Sequence, residues 1–199
     1  MSAVLPRGFA DPVHESQLLF RSIMAAFAHP ASPRTFVTEI TPPPPLTSEL
    51  AAIALALADH ETPILLDRKL AAAPEVAAFL RFHCGAPIVT DPRETVFALI
   101  ADPTAFRDVE DFAIGTDAYP DRSTTLVFAV DHLLAGQGLR FRGPGILAES
   151  SLAIMPEPVG LHATIARNQA LFPRGNDCIF AAPRALAALP RSLRINAEN

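Results

Sequence analysis

Several short stretches of this chain are apolar at nearly every position, and this pattern constrains the fold more than any other feature. A strand with one face in solvent alternates apolar and polar residues, whereas a strand covered on both faces reads as a continuous apolar run. We therefore predict buried strands at Ile64–Leu66, Thr95–Ile100, Thr124–Val130 and Cys178–Ala181.

Helical segments separate these runs. The first helix is predicted to start at Pro12, because Asp11 suits the N-cap and Glu15 suits the positive end of the helix dipole. His29-Pro30 ends it. Three more helices are predicted at Leu46–Ala58, Pro74–Phe82 and Val159–Leu171. Helices that alternate with double-covered strands predict a layered α/β/α fold, with residues 1–199 as one domain.

Three further runs predict additional strands: Arg34–Thr38, Leu139–Arg142 and Leu152–Met155. The consecutive strands between residues 124 and 155 have no helix between them, so we expect part of the sheet to be antiparallel and the sheet to be mixed. The 20 prolines fall mainly at the boundaries of predicted elements, which favours a turn-rich ordered chain over disorder.

The chain carries 15 arginines and a single lysine, Lys69. A pyridoxal-phosphate enzyme needs a lysine for its Schiff base, and a phosphate-binding loop needs one beside glycines. Lys69 follows Asp67-Arg68 with no glycine near it, and we expect it to be solvated. We therefore predict neither chemistry, and no cofactor.

Net charge and hydropathy argue against two further classes of protein, those that bind nucleic acids and those that span membranes. The net charge of −5 and the isoelectric point near 5.6 argue against a nucleic-acid partner. The apolar run Leu50–Ala58 is far shorter than the ~20 residues of a membrane span. Cys84 and Cys178 form no C-x-x-C pair, and no secretory signal is recognisable, so we expect free thiols and a cytoplasmic location.

Charge is divided unevenly along the chain. Residues 1–120 carry −7 and residues 121–199 carry +2, which predicts one acidic and one mildly basic surface. On the first helix, His14, Leu18 and Arg21 share a face. That face is interpreted as an exposed polar stripe or as a docking surface for another chain.

Candidate metal and nucleophile motifs are incomplete. His14-Glu15 lacks a second histidine at position 18, and the adjacent side chains of Asp59-His60-Glu61 diverge, which favours a surface or capping role. His83 and Cys84 are sequence neighbours that seldom face each other, and Ser123 lies in no nucleophile elbow. We predict no catalytic residue and no metal site.

Three arginines beside turns remain as candidates. Arg142 precedes Gly143-Pro144-Gly145, Arg174 precedes Gly175, and Arg122 precedes Ser123. A guanidinium is a planar fork for phosphate or phosphonate oxygens, and glycine lets backbone N–H groups approach an anion. Arg122, Arg142 and Arg174 are therefore candidate contacts for an oxyanion or a partner, although each segment is also an ordinary turn composition.

Nine segments spread over the chain occur in an order and spacing that are informative together. The segments are Gln17, Phe20-Arg21, Leu57–Pro63, Leu80–His83, Gly85–Pro87, Ser123–Leu126, Leu139–Ile146, Phe172–Asp177 and Leu189–Ser192. Together they resemble the PhnH family, the H subunit of the bacterial phosphonate carbon–phosphorus lyase core complex. The likeness runs from about Phe9 to Ile195. It differs at Ala31, where the family often has glycine.

The resemblance implies a fold similar to pyridoxal-phosphate-dependent transferases without their cofactor site. It also implies self-association as a homodimer, and assembly with the G, I and J subunits. The expected function is an accessory, non-catalytic one that supports transfer of an alkylphosphonate onto the ribose C1′ of ATP. The alternative is a phosphonate- or nucleotide-binding transferase subunit with its own anion site at Arg142 and Arg174.

Overall fold

A computed structural model describes residues 6–106 and 109–196 of the chain, and within these ranges it contains five α-helices and ten strands. The helices are α1 (Pro12–Ala28), α2 (Ser48–Leu57), α3 (Arg68–Ala71), α4 (Pro74–Cys84) and α5 (Leu161–Leu171). The strands are β1 (Arg34–Thr35), β2 (Ile64–Leu66), β3 (Ile88–Val89), β4 (Phe97–Ile100), β5 (Thr125–Ala129), β6 (His132–Arg142), β7 (Ser150–Met155), β8 (Asp177–Ala182), β9 (Ala185–Leu189) and β10 (Arg194–Ile195).

Seven strands form the central sheet in the order β1-β9-β8-β5-β4-β2-β3. Strands β8, β5, β4, β2 and β3 are parallel, whereas β9 and β1 add antiparallel pairs at one side. The mixed α/β sheet predicted from the sequence is confirmed.

Both faces of the central strands are buried, as their continuous apolar runs predict. On β5, Leu126 and Phe128 face one core cluster while Val127 faces the other. The helices α1, α2 and α4 cover the face that receives Val127. The opposite face is covered by α5 and by a second, three-stranded sheet. Thus the second outer layer is part sheet and part helix.

The position of the antiparallel region differs from the prediction. We expected the strands between residues 124 and 155 to make part of one sheet antiparallel, but β5 is parallel to both of its neighbours. Strands β6 and β7 leave the central sheet and form the antiparallel second sheet, in the order β10-β6-β7. The predicted strand Arg34–Thr38 is reduced to the two residues of β1.

Helix α1 starts where its capping residues predict. The Asp11 carboxylate accepts a hydrogen bond from the backbone N–H of His14, and Pro12 occupies the first turn. Its buried residues are Leu19, Ile23 and Ala26, whereas Phe20 and Met24 are 47% and 53% exposed. Part of the apolar surface of α1 therefore faces solvent.

Ala31, where the family often has glycine, adopts an unusual backbone conformation. Ala31 has φ of 56°, a left-handed conformation in which glycine is favoured because it lacks a Cβ. Its N–H donates to the carbonyl of Ala188 and its own carbonyl accepts from the Ser150 hydroxyl. These contacts hold the turn after α1 in the conformation that a glycine would adopt more easily.

Candidate functional site

A large cavity lies at the carboxyl ends of β2, β3 and β4, where open α/β sheets commonly bind ligands. Its volume is about 900 Å³, and its lining is mostly apolar. The lining includes Leu65, Ile88 and Phe106, together with Lys69 and the carboxylates of Asp67 and Asp102. All of its described lining residues come from the more acidic part of the chain.

The acidic groups of this cleft are already engaged by the protein. One oxygen of Asp67 accepts from the Leu70 N–H, and the other accepts from the N–H groups of Ala101 and Asp102 at 2.8 and 2.9 Å. Asp102 accepts from the Thr104 hydroxyl, which lowers the pKa of this carboxyl. Both carboxylates therefore organise loops at the ends of the strands.

Lys69 lies on the short helix α3, which was not among the predicted helices, and it is solvent-exposed as predicted. Its ammonium donates to the carbonyl of Ala101 at 3.3 Å. An exposed lysine bonded to a backbone carbonyl lacks the desolvated setting in which a Schiff-base lysine is activated.

The incomplete metal and nucleophile motifs have structural roles. The Asp59 carboxylate accepts from the Thr62 hydroxyl and the Glu61 N–H, and the hydrogen bond from Thr62 lowers the pKa of this carboxyl. His83 donates from Nε2 to the Pro6 carbonyl, whereas the Cys84 thiol donates to the Leu80 carbonyl. Burial raises the pKa of the Cys84 thiol.

Within the described ranges, no group of three or more His, Cys, Asp and Glu side chains could hold a metal ion. No helix of residues 6–106 or 109–196 is long and apolar enough to cross a membrane.

A buried polar cluster at the amino end of β8 joins several of the segments that carry the family resemblance. We call it the polar junction: Asn168, Asn176, Asp177 and Arg191. The Asn168 amide bonds both the N–H and the carbonyl of Asn176, and the Asn176 amide donates to the carbonyls of Ala113 and Thr124. The junction therefore ties α5, β8 and the loop before β5 together.

Arg191 completes the polar junction. Its guanidinium binds the Asp177 carboxylate through Nε and Nη2, and Nη1 donates to the Pro120 carbonyl. Its backbone N–H also donates to Asp177 at 2.7 Å. The side chains of this pair are only 15% and 19% exposed.

Two of the three candidate arginines contact one loop. Arg174 Nε lies 3.1 Å from the Asp117 carboxylate, and the Arg122 guanidinium lies 4.4 Å from the centre of the Tyr119 ring. Both partners belong to the segment between residues 115 and 122. These contacts hold a surface loop, and neither arginine lines the cavity that contains Arg142.

Arg142 lines a second cavity of about 480 Å³, which we call the arginine hollow. Its lining residues are Arg142, Gly143, Pro144, Gln169, Phe172, Arg191, Ser192 and Arg194. All come from the more basic part of the chain. The sequence-based reading missed Arg194, because its position beside Arg142 depends on the pairing of β10 with β6.

Glycines near the hollow are needed for close packing. A Cβ at Gly143, where φ is 149°, would lie 2.9 Å from the Leu193 side chain. One at Gly145 would lie 2.5 Å from the Ala28 carbonyl oxygen. This turn thus packs its backbone against Leu193, just before β10, and against the end of α1.

The fold and these sites define an α/β protein. Many of its described carboxylates, the Cys84 thiol and Lys69 are hydrogen-bonded within the protein, and arginines line the second cavity. Comparison with known families gives the specific assignment: residues 7–196 match the family described as "Bacterial phosphonate metabolism protein (PhnH)", and the chain belongs to this family. The resemblance found in the sequence is confirmed.

A full-length relative supports the same assignment. The chain is 40% identical over 201 residues to the alpha-D-ribose 1-methylphosphonate 5-triphosphate synthase subunit PhnH of Rhizobium meliloti (strain 1021). The match covers 99% of this chain and 98% of that protein.

Proposed function

We propose that this chain is an accessory subunit of the carbon–phosphorus lyase core complex and supports synthesis of α-D-ribose 1-methylphosphonate 5-triphosphate. The observation that carries this proposal is the near full-length, 40% identical relative that is itself a subunit of that synthase. Its partners are the G, I and J subunits, and its role is structural support of the transfer of an alkylphosphonate onto the ribose C1′ of ATP.

The chemistry of the described residues supports an accessory role. The carboxylates in the large cleft accept hydrogen bonds from backbone amides or from a neighbouring hydroxyl. Cys178 is 2% exposed, and burial raises the pKa of its thiol well above the ordinary range. Groups held in this way serve poorly as a general base or nucleophile.

The exposed apolar residues of α1 support assembly with other subunits. Leu18, Phe20 and Met24 are 61%, 47% and 53% exposed, an arrangement that burial against a partner would stabilise. We propose α1 as a docking surface that includes the stripe of His14, Leu18 and Arg21.

The finer features of the resemblance remain part of the proposal. We propose a single domain related to pyridoxal-phosphate-dependent transferases without the cofactor site, and the exposed position of Lys69 supports this. We also propose a homodimer in isolation and a cytoplasmic location.

Co-expression with the G, I and J subunits tests the assembly. The wild-type chain should co-purify with them, and omission of the chain should abolish or strongly reduce formation of the ribose phosphonate from ATP and methylphosphonate. A chain that stays alone at low ionic strength, or an assembly equally active without it, contradicts the proposal.

A pair of variants tests the α1 surface. The double change Phe20→Ser and Met24→Ser removes exposed apolar area, so it should preserve the fold and reduce co-purification at least about tenfold if ~1.4 kcal/mol of contact is lost. The matched control is Phe82→Ser on α4, where Phe82 is 65% exposed. Equal retention of all three forms contradicts docking through α1.

A further inference from the structure

Arg142 and Arg194 are direct cross-strand partners in the second sheet. Side chains of directly opposed residues lie on the same face, with Cβ atoms about 4.5–5.5 Å apart. Like charges at such positions destabilise a sheet. Two of the three arginines that line the arginine hollow, Arg142 and Arg194, therefore extend from neighbouring backbone positions on the same face of the sheet.

Packing on the other face fixes this register. The next pair along the two strands is Phe141 with Ile195. Phe141 is fully buried, and Ile195 packs against the same core cluster. A shift of β10 by one residue would bury Arg194 and expose Ile195, so the two arginines cannot separate by slippage of this strand.

The nearby carboxylate compensates this charge only in part. Arg142 Nε lies 3.5 Å from Glu149, but Arg140 also approaches this carboxylate at 3.8 Å, and the Asn196 amide donates to it at 2.7 Å. Among residues 6–106 and 109–196, Arg194 has no ion pair. Among the residues that the structure describes, this face thus has three guanidinium groups and one carboxylate.

Arg191 forms a more rigid part of the wall. Its charge is balanced by Asp177, and its guanidinium is fixed by several hydrogen bonds. The uncompensated charge of the hollow therefore comes from the β6–β10 pair, while Arg191 holds the adjoining segment, including Ser192, in place.

We propose that the arginine hollow binds a tetrahedral oxyanion, a phosphate or phosphonate group, between Arg142 and Arg194. Guanidinium groups bind such oxygens through paired N–H donors. Gln169 and Ser192 add further hydrogen-bonding groups to the lining. A volume of about 480 Å³ exceeds that of the anion itself, and Phe172 gives an attached organic group an apolar contact.

This site replaces the pairing of Arg142 with Arg174 suggested by the sequence, since Arg174 faces Asp117 and does not line the hollow. The oxyanion class follows from the arginines alone. A preference for a phosphonate over a phosphate ester would rest on the function proposed above.

Titration of the isolated full chain with inorganic phosphate and with methylphosphonate tests the site. Chloride keeps the ionic strength constant, and NMR signals of the arginine Nε–H groups report occupancy. Either probe should bind saturably and shift the signals of Arg142 and Arg194. Tighter binding of methylphosphonate indicates a phosphonate site, and tighter binding of phosphate indicates a phosphate-ester site.

Arg142→Gln and Arg194→Gln should each weaken binding about tenfold, the equivalent of ~1.4 kcal/mol. Both residues are exposed, and circular dichroism should show an unchanged fold. Arg81→Gln is the matched control, because Arg81 is exposed on α4 on the opposite side of the central sheet, and binding should be unchanged. Arg194→Lys keeps the positive charge but lacks the planar, paired N–H donors of a guanidinium, so it should give an intermediate affinity.

The proposal is overturned if neither probe saturates at millimolar concentration, or if Arg81→Gln weakens binding as much as Arg194→Gln. It is also overturned if a hexaglutamate peptide binds through Arg142 and Arg194 while both small anions fail, because the hollow would then accept an acidic protein segment. Co-purification of a variant that carries both Arg142→Gln and Arg194→Gln with the partner subunits separates the two proposals, since assembly does not require an occupied hollow.

Discussion

The polar junction and the arginine hollow share Arg191, yet they differ in how completely their charges are satisfied. In the polar junction, Arg191 meets Asp177 and a backbone carbonyl in a largely buried setting. In the hollow, Arg194 lies only three residues later, exposed and opposite another arginine. The same residue type thus stabilises one region and leaves the other ready for an external anion.

An arginine-rich segment can therefore serve either to stabilise the fold or to contact a ligand. The segments Phe172–Asp177 and Leu189–Ser192 carry much of the family resemblance, and several of their polar side chains bond within the protein. Such residues preserve the fold. A residue that is repelled by its nearest charged neighbour and has little compensation is a better candidate for ligand contact.

The largest expected effect is at the junction ion pair. Asp177→Ala leaves the mostly buried Arg191 without its carboxylate, and we expect a loss of about 3 kcal/mol in the free energy of unfolding, measured with urea. Labelling of the Cys178 thiol should accelerate in parallel, because this 2% exposed group reacts only when the region opens.

Asp117→Ala is the matched control for that ion pair. Asp117 also pairs with an arginine, but its side chain is 82% exposed, so the expected loss is below about 0.5 kcal/mol. Similar losses in the two variants would break the distinction between the junction and a surface pair.

The next largest loss of stability is expected when the Asn176 amide is removed from the polar junction. Asn176→Ala removes two donors to the carbonyls of Ala113 and Thr124, and should cost about 2 kcal/mol by thermal or urea unfolding. Asn196→Ala removes an amide that binds the exposed Glu149 beside the hollow, and should cost less than about 0.5 kcal/mol. A larger loss of stability for Asn196→Ala than for Asn176→Ala would contradict the stronger stabilisation that we assign to the polar junction.

Gly175 tests how tightly the backbone packs in the junction. A Cβ there would lie 2.3 Å from Asn168 Oδ1, and φ is 141°. Gly175→Ala should therefore destabilise by about 2 kcal/mol. In Gly136→Ala, φ is 76° but nothing lies within 4 Å, so only backbone strain of ~1 kcal/mol is expected. Equal unfolding midpoints for the two variants would show that the overlap is relieved at no cost.

The smallest effect has the opposite sign. Arg194→Gln removes the repulsion with Arg142 and should raise the free energy of unfolding by ~0.3–0.5 kcal/mol at low ionic strength, in chloride without phosphate. The gain should disappear in about 1 M salt, where the screening length is ~3 Å. A loss of stability at low salt would mean that Arg194 is already compensated.

The central strands of the large sheet were predictable because a short, continuous apolar run is typical of a strand that is buried on both faces. β4, β5 and β8 lie within or beside the predicted runs, and their alternate residues enter opposite core clusters. Ala185–Leu189 gave no such signal, because alanine and leucine favour helices. It forms β9 through pairing with β8 across a tight connection.

The candidate site was predictable only in part. Arg142 was identified from its glycine-containing turn, but the position of Arg194 depends on strands separated by about fifty residues. Local sequence does not encode that register. The partners of Arg122 and Arg174 likewise depend on how the 115–122 loop folds back.

The two outermost strands of the central sheet, β1 and β3, are two residues long. A long outer strand exposes a row of unpaired N–H and C=O groups that can template pairing with another molecule. Here each edge strand offers few such groups, so the addition of a strand from another molecule would form few backbone hydrogen bonds. Association through the sheet borders must depend on side chains, which makes it selective for the partner.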